Sequence, residues 1–377
     1  MISLTISHKF FSAEADPELE NYLTATFEHM RSDIQNLRCS KYISSVVLGG
    51  SYGRGEGGCV KDHDGKSRPY NDLDFFVFTC GAMKKERKVI DEALAEIGAT
   101  YSQRLGIDVD FAPARNVHTL KSVSNTLMFQ ELRRGYTILF GTDLFVRKLP
   151  LLPFEQLPPA ETLRLMLNRG IGLLLALQKS ISKTGEEQFI LRNYAKAILG
   201  CGDALLLAGN RYLPKAGERR AIMKAWAAAS DAPKLLKTFY PIYNDMVKFK
   251  TRPKTKFNTP LEPELLLQAI HDYLNIFVFI VSHYSNKMLE TPQACLSEFA
   301  ENPIFKSGFS LKNGIFSLLY FRNDTTHAGI FSSPRLKIFE KLISFFVTLD
   351  KKGIKEAEKI FSSPDFSSML EKWKRFN

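Results

Sequence analysis

The chain contains no Cys-x-x-Cys pair; its five cysteines stand apart at positions 39, 59, 80, 201 and 295. An odd, scattered set excludes a disulfide framework and a cysteine-based zinc site, and reduced thiols are expected. No charged stretch followed by an apolar run opens the sequence, so no secretory leader is read in Met1–Lys9. The apolar runs near Gly172–Leu177 and Ile276–Val281 fall far short of the roughly 20 residues that span a bilayer. A cytoplasmic protein without a membrane partner is the expectation. Internal repeats are absent as well, which excludes a solenoid.

What is present is a chain of 377 residues, 45% of them hydrophobic, enough for two domains with real cores. Lys and Arg outnumber Asp and Glu by 51 to 40, a formal net charge of +11. That excess favours polyanionic partners, nucleotides or RNA among them, and fits equally a basic surface kept for solubility.

Strand and helix signals alternate over the first 150 residues. Short strands are expected at Ile2–Ile6, Tyr42–Leu48, Leu73–Phe78, Ile107–Phe111 and Tyr136–Phe140. Helices are expected at Pro17–Leu37, at Lys84–Ile97 with Gly98 closing it, and at Thr119–Arg134 with Gly135 closing it. After Pro150 the strand signals vanish. Helical periods follow at Glu161–Gln178, Glu187–Ala208, Glu218–Ala229, Leu261–Lys287, Asn313–Tyr320, Pro334–Leu349 and Lys351–Phe361. The layout is an α+β domain with a small mixed sheet (1–150), followed by an all-α helical bundle domain (151–377).

The chemistry concentrates in one segment. A strand ends in Gly49-Gly50-Ser51, and after an interval comes Asn71-Asp72-Leu73-Asp74. A glycine turn after a strand lets backbone N–H groups approach a phosphate, and Ser51 adds a hydroxyl. Asp72 and Asp74, two apart on a strand, share a face at roughly 7 Å. That spacing suits two divalent ions about 3.5–4 Å apart. Ile107-Asp108-Val109-Asp110 offers a third carboxylate, with Asp108 favoured over Asp110. Hard carboxylate oxygens suit Mg²⁺. Arg54 carries a fork that matches phosphate oxygens.

Gly50-Ser51, Asp72-Leu73-Asp74 and the later Asp108 strand resemble the DNA-polymerase-β-like nucleotidyltransferase superfamily, over roughly residues 40–140. The resemblance implies transfer of an NMP group from an NTP, ATP being the expected donor, to a hydroxyl acceptor with release of pyrophosphate. It implies two Mg²⁺ ions, or Mn²⁺ in their place, on Asp72, Asp74 and Asp108 or Asp110. It also implies phosphate contacts from Gly50, Ser51 and Arg54. The acceptor is left open between a small molecule such as an aminoglycoside, a protein side chain and an RNA end. The gap of 21 positions from Ser51 to Asp72 is roughly twice the family's usual one. Residues 56–70 are therefore read as an inserted loop.

Two lures in that insert are set aside. Asp64-Gly65-Lys66-Ser67 ends like a phosphate-binding loop, but Val60 stands where the first glycine belongs. Asp62-His63-Asp64 reads as a solvated tip rather than a metal cluster. In the helical half, Arg192, Lys196 and Asp203 share one long helix and read either as one wall of a cleft or as a solvated face. Arg322-Asn323 followed by His327 resembles the signature of HEPN domains, helical bundles that often cleave RNA. In that resemblance Arg322 would stabilise a scissile phosphate and His327 would shuttle protons. Two rival functions follow: a HEPN-type ribonuclease with a regulatory nucleotidyltransferase-like domain, and a non-catalytic nucleotide- or RNA-binding module.

Overall fold

A computed structural model describes residues 5–6, 8–253, 261–305, 311–321 and 333–376. The chain forms two compact units. The first comprises Met1–Leu157 with two segments from far along the chain, Leu213–Glu218 and Val247–Lys256; the second comprises Pro158–Tyr212, Arg219–Met246 and Phe257–Asn377. The first is mixed α and β around a small sheet, and the second is helical.

In the first unit, helix α1 (Pro17–Gln35) starts at Asp16, whose Oδ1 accepts the Leu19 N–H at 2.9 Å, with Pro17 set at the first turn. Its stripe of Leu19, Leu23, Phe27, Met30 and Ile34 is buried. The main sheet runs β1 (Thr5–Ile6), β8 (Thr137–Gly141), β2 (Ile43–Leu48), β5 (Leu73–Thr79), β6 (Val109–Phe111). The short β7 (Arg115–Asn116) also pairs with β5. The β1–β8, β8–β2 and β2–β5 pairs are antiparallel, and β6 and β7 lie parallel to β5. A separate hairpin, β3 (Cys59–Lys61) with β4 (Ser67–Pro69), occupies the expected insert.

From Phe75 to Phe78 strand β5 is apolar without interruption because both its faces are covered there. Leu73, Phe75 and Val77 join a core with α1 and α3 (Lys84–Leu105). Phe76 and Phe78 join a second core with Phe129 and Leu132 of α4 (Leu127–Arg134) and Phe145 of α5 (Leu144–Lys148). Asp74 lies two residues before Phe76 on the same alternation, and there it is exposed.

The elements differ from expectation where tertiary packing overrides local signals. Helix α3 continues through Gly98 to Leu105, and the left-handed Gly106 (φ 68°) ends it. Gly98 is no cap: a Cβ there would lie 2.7 Å from the Val109 carbonyl, so the glycine admits β6 against the helix. The single helix expected at Thr119–Arg134 is a 3-10 stretch, Val117–Val123, followed by α4. Ser124 and Thr126 hydroxyls bond back to Lys121 O and Val123 O at 2.9 Å, which breaks the run.

The second unit holds α6 (Pro159–Ile181), α7 (Glu187–Ala208), most of α8 (Ala216–Ala228) and α9 (Lys234–Thr251), then α10 (Pro263–Ser285), α11 (Pro292–Glu301), α12 (Leu311–Tyr320), α13 (Pro334–Lys352), α14 (Ile354–Phe361) and α15 (Pro364–Phe376). Helices α9, α11 and α15 have no counterpart in the sequence reading. Close approach uses small residues: a Cβ on Gly202 of α7 would lie 2.2 Å from the Tyr243 ring of α9. Helix α10 carries the Ile276–Val281 run and, by length and composition alone, is long and apolar enough to cross a membrane; half of that apolar window is buried within the unit. Tyr273 and Phe277 lie on the buried face, with Phe277 edge-on to Phe299 and Phe339.

Candidate functional site

The turn after β2 is a single helical turn, α2 (Gly50–Gly53). It begins with Gly50 in the left-handed region at φ 59°, where only glycine is unstrained. The missing side chain serves a second purpose. A Cβ on Gly50 would lie 2.4 Å from Asp74 Oδ2, so the carboxylate occupies the space that the glycine leaves. The Gly49 N–H donates to the Asp74 carbonyl at 2.8 Å, locking the turn to β5 at that residue.

Strand register then sets the third carboxylate. In the parallel β5–β6 pair, Leu73 aligns with Val109, Asp74 with Asp110 and Phe75 with Phe111. Asp110 therefore stands beside Asp74 at the inter-strand spacing of about 4.8 Å. Asp108 precedes β6, where its carbonyl accepts the Leu73 N–H at 2.9 Å. Leu73 and Val109 are buried between these acids, so Asp74 and Asp110 share the exposed face. Asp72 sits just before β5 and is half-buried. Asp72, Asp74 and Asp110 offer three carboxylates at one sheet end, the hard-oxygen donor type that Mg²⁺ and Mn²⁺ take, and their ligand atoms are not gathered within 4.8 Å of one another.

The insert is an ordered hairpin whose two ends meet: the Tyr70 N–H donates to Gly58 O at 3.1 Å, and the Gly58 N–H to Asn71 Oδ1 at 2.7 Å. Its tip is organised by Asp62, whose Oδ1 accepts the N–H groups of Asp64 and Lys66 at 2.9 and 2.8 Å, while Oδ2 lies 3.1 Å from Arg68 Nε. Asp62, His63 and Asp64 form the one group of three ligand-type side chains within 4.8 Å found among the described residues. Asp62's oxygens already serve the turn and Arg68, which gives the group a structural origin. The same bonds remove the phosphate-loop reading of 64–67, because Lys66 N–H points to Asp62 and Ser67 N–H to Glu18 at 3.0 Å.

Arg54 is placed differently from a phosphate clamp. It is 8% exposed, with Nε 3.4 Å from Glu56 and a terminal nitrogen 3.6 Å from Glu131. Gly135, which follows α4, has no room for a Cβ because the Arg54 side chain packs 2.5 Å from that position. Glu56 is buried too, and its other oxygen accepts the N–H of Ala216 at the start of α8. A guanidinium held this way braces the turn.

In the helical unit, Asp203 forms an ion pair with the buried Arg219, 2.8 Å from its Nε, and accepts the Tyr243 O–H at 3.0 Å. These contacts join α7, α8 and α9, so Asp203 is an internal tie. Arg192 and Lys196 are half-buried on the same helix. Arg322, Asn323 and His327 lie outside the described residues.

The sequence reading passed over Tyr52 and Asn71. Tyr52 is fully buried, donates its O–H to Gly58 O at 2.6 Å and accepts the Tyr70 N–H at 2.9 Å. The signal was present: an aromatic residue inside the glycine turn, with Gly57-Gly58 close behind and no apolar neighbours to explain it. Phe249, from a segment far along the chain, meets Tyr70 edge-on at 5.8 Å, which no local pattern announces. No family model, no curated protein and no solved structure matches the chain.

Proposed function

We propose that the chain is a metal-dependent nucleotidyltransferase that moves an NMP group from an NTP to a hydroxyl acceptor. One observation carries this reading: the β5–β6 register sets Asp110 beside Asp74, and Asp74's carboxylate fills the space left by Gly50. A glycine–serine turn, a D-x-D strand and a third aspartate thereby converge on one sheet end, the arrangement implied by the resemblance to the DNA-polymerase-β-like superfamily. The register favours Asp110 over Asp108 as the third carboxylate.

In the reaction the acceptor oxygen attacks the α-phosphorus, the bond to the α–β bridging oxygen breaks, and pyrophosphate leaves with that electron pair. Asp72, Asp74 and Asp110 would hold the two Mg²⁺ ions, whose chemistry is to neutralise charge on the attacking and leaving oxygens. Asp110, on the exposed face beside Asp74, would take the hydroxyl proton. Gly50 and Ser51, in the turn against Asp74, would donate to the triphosphate. Arg54 acts behind them, keeping the turn in place through Glu56 and Glu131.

The test is pyrophosphate release from labelled NTPs in the presence of a cell extract as the source of acceptor. Asp74→Asn should lower it by at least about a thousandfold, the scale set by losing a group that acts only on the transition state. Asp108→Asn should leave most of the rate, and Asp110→Asn should not. An Asp74→Asn protein with wild-type turnover and wild-type affinity for Mg·NTP would refute the assignment.

A further inference from the structure

A buried phenol must place both its hydrogen and its lone pairs. Tyr52 does so across a gap in the chain. It sits inside α2, one residue after Ser51, and its oxygen reaches Gly58 O and Tyr70 N at the two ends of the hairpin. Tyr70 is followed by Asn71, whose Oδ1 takes the Gly58 N–H, and then by Asp72. The ring is as closely fitted as the hydroxyl: a Cβ on Gly57 would lie 2.0 Å from two of its carbons. Burial pushes the Tyr52 phenol far above its ordinary range, so the O–H stays a donor at every physiological pH.

We infer that Tyr52 is a positioning residue for the aspartate site: its hydroxyl closes the hairpin base and thereby sets Asp72 at a fixed offset from the Gly50–Ser51 turn. The inference rests on the nucleotidyltransferase reading and extends it. In sequence the turn and the strand that carries the acids are separated by the whole insert, and in space β2 meets β5 only as far as Asp74. The Gly49–Asp74 bond fixes the second acid to the turn, and Tyr52 does the same for the first. Loss of the hydroxyl leaves the Tyr70–Gly58 and Gly58–Asn71 bonds in place but removes the tie between the hairpin base and the turn, so Tyr70–Asp72 can shift against Gly50–Ser51 while Asp74 stays where it was.

Tyr52→Phe keeps the ring and removes the oxygen. The half-saturating Mg²⁺ concentration for pyrophosphate release should rise by about 10- to 100-fold, the usual effect of losing a group that orients a metal ligand. The KM for NTP at saturating metal should stay within about threefold, because uniform nucleotide binding is untouched. Direct Mn²⁺ titration followed by electron paramagnetic resonance gives a readout without turnover, and its affinity should fall by the same factor. Amide exchange at Gly58 and Tyr70 should quicken while α1 stays protected. Should Tyr52→Phe fail to fold, Asn71→Ala breaks the neighbouring bond and should give the same metal shift. Wild-type Mn²⁺ affinity in whichever of these variants folds, with Asp74→Asn abolishing binding, overturns the role of Tyr52 alone. Wild-type Mn²⁺ binding and turnover in Asp74→Asn would overturn the underlying reading instead.

Discussion

Replacing Gly50 with alanine separates backbone strain from damage to the acid beside it. Any L-residue at φ 59° is strained by about 1–2 kcal/mol. An L-residue in place of Gly65, at φ 74° on the hairpin tip, would carry the same strain, yet a Cβ there meets nothing within 4 Å. At Gly50 the Cβ would lie 2.4 Å from Asp74 Oδ2, so the carboxylate must leave its rotamer, adding about 0.5–1.5 kcal/mol. Gly65→Ala should therefore lose about 1–2 kcal/mol and Gly50→Ala about 1.5–3.5 kcal/mol in urea unfolding. For a unit of this size each kcal/mol lowers Tm by roughly 2–4 °C. Turnover should split far more widely. A carboxylate displaced by about 1 Å loses on the order of a hundredfold in rate. Pyrophosphate release by Gly50→Ala should fall by that factor, with Gly65→Ala close to wild type. Equal turnover in the two variants would refute the claim that Gly50 exists to seat Asp74.

Two further outcomes bear on the scaffold. Asp203→Ala strands the buried Arg219 and removes the acceptor of Tyr243, so it should destabilise the chain by about 3 kcal/mol in urea unfolding; a loss under about 1 kcal/mol would mean the pair is solvated. The Leu19 N–H holds the Asp16 carboxyl below its ordinary range against the opposing effect of burial, with Ser67 and Lys61 adding to it. A lowered carboxylate stabilises the fold above its unfolded pKa, and the contribution disappears as pH falls through the folded value. Asp16→Ala should thus lose about 1 kcal/mol at pH 7, and the gap should narrow as pH falls toward 2, by denaturation across the series; a gap that stays constant would show that the cap does not act through charge.

Local signals were readable where they coincided with packing. Glu187–Ala208 was expected at the bounds the helix has, because its apolar and small residues recur at the period of the face it buries. Gly98 misled because glycine reads as a stop, whereas here it is a notch for the Val109 carbonyl. Helix α9 escaped notice because Pro241 interrupts its middle. The glycine turn and Asp72-Leu73-Asp74 could be read because each is contiguous. Which acid stands beside Asp74 could not, since Asp108 and Asp110 lie on the same side of their strand and only the β5 register puts Asp110 opposite Asp74. Arg54 looked like a phosphate ligand because nothing nearby in sequence announces Glu131, which is brought to it by α4.

The closed base of the hairpin carries a consequence for how such sites are found and altered. The chain leaves at Gly58 and returns at Tyr70 with 3.1 Å between the bonded atoms, so the interval from Ser51 to Asp72 counts residues without measuring distance. A pattern search that fixes that interval will pass over any protein built this way. Lengthening the tip adds closure entropy only logarithmically, about 0.6 kcal/mol per doubling. The stretch 63–65 is accordingly where a tag or a fluorophore should be carried without changing the frame that holds the acids.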